Sequence, residues 1–215
     1  MIVIIISVDP STRFLFDIVE SLKSNSIEFE LIEVHPKEES YKACLDIIVE
    51  LPKNTTILFL GHGQDDQIYG GELLDDFPKQ PLIKRNEMGI FKNQNLFLLA
   101  CDSASLIKSS FRIAKTNKAI GFGPLPTEIE EVENDKKLVN EGITLDTIEL
   151  FKQAINETVI LSLLEYFKDE AKDFIYLKDY LNLHLNKRIN KAILDEDNRN
   201  LADLLFNMKN DMVIY

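Results

Sequence analysis

With 215 residues, 45% of them hydrophobic and 9% aromatic, the chain can bury the core of one medium domain, or of one domain with an appended helical unit. Its formal net charge of −12 repels phosphate backbones and argues against a nucleic-acid partner. No stretch approaches the roughly 18 apolar residues of a membrane span, and two cysteines, Cys44 and Cys101, make no disulfide framework, so a soluble cytoplasmic protein is expected.

The opening MIVIIISVDP lacks the basic flank and small-residue cleavage site of a secretory signal. Residues 2–8 instead form a β-branched run, as expected for a strand covered on both faces. Asp9, Pro10 and Ser11 supply a turn and a helix cap. Phe14, Leu15, Ile18, Val19 and Leu22 then recur at helical spacing. Residues 29–34 (FELIEV) alternate weakly and predict a second strand near a sheet edge. Residues 38–51 predict an amphipathic helix with Tyr41, Cys44, Leu45 and Ile48 on its apolar face.

A third strand is predicted over 57–60 and a fourth over 96–100. The polar stretch 64–94 between them reads as a long loop with one short helix near 83–90. A helix over 103–115 and a short fifth strand over 119–122 follow. Alternating strands and helices imply βαβ units, hence an α/β fold with a mainly parallel sheet flanked by helices. Residues 1–123 form this expected core. From 124 the chain is expected to be an acidic, Pro-punctuated loop to 140. A helix capped by Thr144 then runs through Phe151, Ile155, Val159 and Leu163, and two more cover 173–190 and 197–208. This helical C-terminal region, 124–215, is expected to pack on the core.

Two stretches carry the chemistry, 55–63 (TTILFLGHG) and 95–103 (NLFLLACDS). Each is an apolar strand that stops at a reactive side chain, His62 or Cys101. In open parallel sheets functional groups gather at strand carboxyl ends. A thiol becomes a useful nucleophile when a base or cation favours its thiolate, and histidine fills that role near neutral pH. Gly63 leaves its N–H unobstructed, and the Cys101 N–H lies at a strand-to-helix turn. Together these amides can serve as an oxyanion hole.

An apolar strand ending in His-Gly, followed by one ending in Ala-Cys, resembles the caspase-like (clan CD) cysteine peptidases. The 99–103 segment LACDS looks most like the CHAT and gingipain branches. The resemblance covers 2–122 as architecture, but its specific part is the two motifs; the caspase signature Q-A-C-x-G is matched only at its Ala-Cys. It implies a caspase-like sheet and a cysteine endopeptidase with His62 as base and then acid and Cys101 as nucleophile. The oxyanion donors it implies are the Gly63 and Cys101 amides. A protein or peptide substrate follows from it, with a regulatory protein partner, a role as a regulated bacterial effector in defence or programmed death, and no cofactor.

No residue declares the preference for the side chain before the scissile bond. Arg13 is the candidate for lining a pocket for an acidic group, and Asp65, Asp66, Asp102 or Glu128 for a basic one. Phe122 and Gly123, after the fifth strand, are placed in the cleft by position alone.

Simpler readings stand beside these. Free cysteine is among the most buried residue types, so Cys101 can be a strand-end core thiol and Cys44 a helix core thiol. His62 alone can bond a carbonyl at a strand terminus, and His35 and His184 have no evident partner. The acidic run 128–135 is a solvated loop or an activation segment. No zinc-type ligand spacing occurs, and Asp65, Asp66 and Glu72 lack EF-hand spacing, so no metal is expected. Walker, dinucleotide and G-x-S-x-G motifs are missing. Two rivals remain: a catalytically silent caspase-like interaction module, and a receiver-like domain, which His62 opposes by standing where a phospho-acceptor Asp belongs.

Overall fold

The computed structural model describes residues 1–73, 76–134, 136–140, 142–169 and 172–215. Positions 74 and 75 of the expected 64–94 loop, and Asp135 of the acidic run, lie outside the described residues.

The apolar runs form the central strands of a six-stranded sheet. Strands β1 (Ile2–Ser7), β2 (Glu30–Val34), β3 (Thr56–Leu60), β7 (Asn95–Leu99) and β8 (Lys118–Gly121) are parallel. The order is β2-β1-β3-β7-β8-β9, where β9 (Val213–Ile214) closes the far edge antiparallel to β8. The weakly alternating 29–34 segment is the opposite edge, as its half-polar pattern predicts.

Side-chain alternation divides the core in two. Ile4, Ile6, Leu58, Leu60, Phe97, Leu99 and Ile120 point to one face. There they meet α1 (Phe16–Ser24), α6 (Leu145–Phe167), α7 (Ile175–Leu194) and α8 (Arg199–Asp211). Val3, Ile5, Ile57, Phe59, Leu96 and Leu98 point to the other, onto α2 (Glu38–Glu50) and α3 (Ser103–Ala114). The sheet is therefore covered on both sides, which is why its strands read as unbroken apolar runs.

The structure departs from expectation in three places. Among the described residues of 64–94, three short strands accompany the expected short helix. Strands β4 (Gly63–Gln64), β5 (Gln67–Tyr69) and β6 (Pro81–Lys84) form a separate antiparallel sheet, and a 3-10 helix spans Arg85–Phe91. The strands are only two to four residues long, too short for a period to register. Within 124–140, two short helices, α4 (Ile129–Asn134) and α5 (Lys136–Asn140), replace the expected loop; Val132 enters the core and holds the first in place. Residues 13–15 are a 3-10 turn ahead of α1. The described part of 124–215 packs on this core. Its helices fill one face of the sheet and β9 joins the sheet itself.

Candidate active site

Because β3 and β7 pair in parallel, with Leu60 opposite Leu99, the His62 and Cys101 turns leave the sheet side by side. Both residues line one crevice of about 30 Å³, with Ser11, Phe14, Leu125 and Ile155 around them. Gly63 makes the approach close. A Cβ built there would lie 2.6 Å from the Cys101 carbonyl oxygen and 2.9 Å from the Ala100 Cβ.

His62 is held from β1. Its Nε2 lies 3.1 and 3.2 Å from the two Asp9 carboxylate oxygens and 3.0 Å from Ser11 Oγ. Ser11 Oγ spends its own hydrogen on Asp9 Oδ1 at 2.6 Å, so Nε2 faces acceptors only and is the protonated nitrogen. The neutral ring then keeps its lone pair on Nδ1, the nitrogen available as a base. Asp9 in turn accepts from the Ser11 and Thr12 amides, both at 3.1 Å. Burial works to raise the Asp9 carboxyl's pKa, but the hydrogen bond and charge of His62, with the bonds from Ser11 and Thr12, hold it below the ordinary value.

Asp9 and Ser11 therefore belong to the site, and reading them as turn and cap residues alone missed this. The signal was a carboxylate just beyond the first strand. Its meaning depended on β1 being the neighbour of β3, which strand order supplies.

The thiol is less ready. Cys101 Sγ donates to the Leu125 carbonyl at 3.1 Å, and among the described residues no hydrogen bond joins it to His62. Burial, with the charge of Glu131 behind it, pushes the thiol up to about 12, so it is protonated at neutral pH. The residue after it, Asp102, takes a left-handed conformation (φ 53°) as the chain turns sharply from β7 into α3, and its amide donates to Gly123 O at 3.0 Å.

No family model, curated protein or solved structure matches the chain.

The amides expected as oxyanion donors can be followed individually. Tyr69 N–H donates to His62 O at 3.1 Å, and Gly63 faces Ile68 one step further along the ladder. By antiparallel alternation the Gly63 N–H turns away from β5. The Cys101 amide makes no backbone hydrogen bond among the described residues.

The expected substrate-binding residues divide. Arg13 is exposed and lines a groove of about 1020 Å³ that shares Ser11 and Phe14 with the crevice and also takes in Asp9, Asp17, Glu72 and Lys152. Asp102 is half-buried; burial, then the charges of Asp65, Asp211 and Glu131, keep its carboxyl above the ordinary value. Phe122 does not line the cleft. Its ring is fully buried and stacks edge-on against Phe97 at 5.5 Å. Gly123 is buried as well, and a Cβ there would strike Asp211 at 2.5 Å, so its part is to let α8 approach.

Proposed function

We propose that the chain is a cysteine endopeptidase of the caspase-like type, held closed in its resting form. One observation carries the reading: Cys101 and His62 share a crevice at neighbouring strand ends, and Asp9 anchors the ring so that Nδ1 is left as the base. In the reaction Cys101 gives its proton to His62 and its sulfur attacks the scissile carbonyl carbon. The oxygen takes up negative charge against the Gly63 and Cys101 amides. Asp9 stabilises the imidazolium, which hands its proton to the departing amine. Water, activated by the same ring, then hydrolyses the thioester.

The groove past Ser11 and Phe14 supplies the route for a peptide, and removing Leu125 O from the thiol is the step that opens the site. The charges nearest Cys101 are mainly acidic, with Asp102 and Glu131 beside it and Asp65 and Asp211 behind Asp102. They favour a basic side chain before the scissile bond.

The capped, protonated thiol also favours a second reading, a silent interaction module that keeps the fold without the chemistry. Peptide acyloxymethyl ketones with varied terminal side chains separate the two. Labelling lost in Cys101→Ala, slowed in His62→Ala and kept in Cys44→Ala supports the peptidase. A wild-type chain that stays unlabelled, with candidate partner proteins added, supports the silent module.

A further inference from the structure

Four buried side-chain polar atoms lack a hydrogen-bond partner among the described residues, and three of them belong to residues that line one cavity. Thr158 Oγ1 comes from α6; His184 Nε2 and Arg188 Nε come from α7. The cavity holds about 130 Å³ between the two helices, and Lys187 and Lys191 stand at its wall. Thr158 is 1% exposed and Arg188 9%. A buried polar atom without a partner is destabilising, so three on the walls of one cavity call for an occupant that can satisfy them.

We infer that this α6–α7 cavity binds an oxyanion the size of a phosphate group. The hydroxyl and the guanidinium donate, and the His184 ring donates as well when Nε2 carries its proton, so the occupant must accept from several directions at once. The Arg188 guanidinium, charged and without a lone pair to give, opposes a metal cation. The volume equals about four waters at their liquid share of ~30 Å³ each, room for a tetrahedral group of five heavy atoms. Lys187, Arg188 and Lys191 gather here against Glu157, Glu165 and Glu196, three cations to three carboxylates, in a chain of net charge −12.

Two carboxylates set the terms. Glu196 accepts from Arg188 Nη1 at 3.0 Å, while Nε has only an ion pair, to Glu157. Glu157 stands 3.6 Å from Nε, beyond hydrogen-bond range, and is 53% exposed. An arriving anion displaces it toward water. Burial and then Lys187 hold the His184 pKa down, while Glu165 and Glu157 act the other way. A bound anion favours the protonated ring, so with Lys187, Arg188, Lys191, Glu157, Glu165 and Glu196 as the charges around it, affinity rises as pH falls below neutrality.

The site stands apart from Cys101 and is tested without any activity assay. Calorimetric titration of the full chain with inorganic phosphate, at matched ionic strength in chloride, is expected to give saturable one-to-one binding. Thr158→Val removes one donor at nearly constant shape; it is expected to weaken phosphate binding about tenfold and to raise the melting temperature of the free protein. Glu157→Gln removes the competing carboxylate and is expected to tighten binding severalfold. Adenosine monophosphate binding more tightly than phosphate assigns the group to a larger phosphorylated molecule, and weaker binding assigns it to free phosphate. No saturable binding to the wild-type chain overturns the inference, as does phosphate binding left unchanged by both substitutions.

Discussion

The Asp9 carboxylate accepts from two backbone amides and from Ser11 while it holds His62 Nε2, so it serves stability and chemistry together. Replacing it with Asn keeps the shape but removes the charge that steadies the imidazolium. Asp9→Asn is expected to slow probe labelling of Cys101 by about 10²-fold, measured as the second-order alkylation rate. Its pH signature has a definite sign. The folded value lies below 3.8, so the stabilisation is present above 3.8 and is lost as pH falls through the folded value. Urea midpoints between neutrality and strong acid should therefore drop more steeply for wild type than for Asp9→Asn. At Gly63 the constraint is steric. A methyl group would meet the Cys101 carbonyl and the Ala100 side chain, and neither strand end is free to give way. Gly63→Ala is expected to cost about 1–3 kcal/mol in urea unfolding.

Among the elements, α6 ties the molecule together. It buries Ile148, Phe151, Ile155, Val159 and Leu163 against the sheet, bears Glu149 and Lys152 on the groove, and brings Ile155 to the crevice and Thr158 to the donor-lined cavity. Its start is fixed by Thr144, whose side chain accepts from Thr147 N at 3.3 Å. Thr144→Ala is expected to destabilise the protein by about 1 kcal/mol in denaturant titration, with labelling of Cys101 unchanged in the folded protein. At the sheet's far edge, β9 exchanges two backbone hydrogen bonds between Ala119 and Tyr215, at 2.8 and 2.9 Å. A chain cut after residue 212 would leave β8 with an open edge, and light scattering should detect its self-association.

For the molecule as a whole, burial of its two thiols makes stability fall on the alkaline side. Burial pushes both Cys44 and Cys101 from 9.0 up to about 12. The folded state therefore holds protons that the unfolded chain releases, and stability declines as pH climbs from about 9 toward 12. Cys101→Ala should flatten part of that decline in urea titrations taken across the window. Among the described residues no helix is long and apolar enough to cross a membrane. The anion titration applies at the α6–α7 cavity, where Lys187, Arg188 and Lys191 gather.

Elements whose side chains meet a continuous environment are legible in the sequence. Ile2–Ser7, Thr56–Leu60 and Asn95–Leu99 are apolar on both faces because helices cover both, and Phe151, Ile155, Val159 and Leu163 mark the buried stripe of α6. The sequence also marked His62 and Cys101, because each ends an apolar run abruptly. Tertiary structure alone decided the rest. The short β4–β6 strands and β9 are fixed by pairing rather than by period. Phe122 looked like a cleft residue from its position after a strand, yet Phe97 claims its ring for the core. Asp9 reads as a turn residue until β1 is laid beside β3, and Thr158, His184 and Arg188 share a cavity only once two helices dock. A local pattern records what one element needs, whereas a site is made by strand order and helix packing, which join residues far apart in the chain.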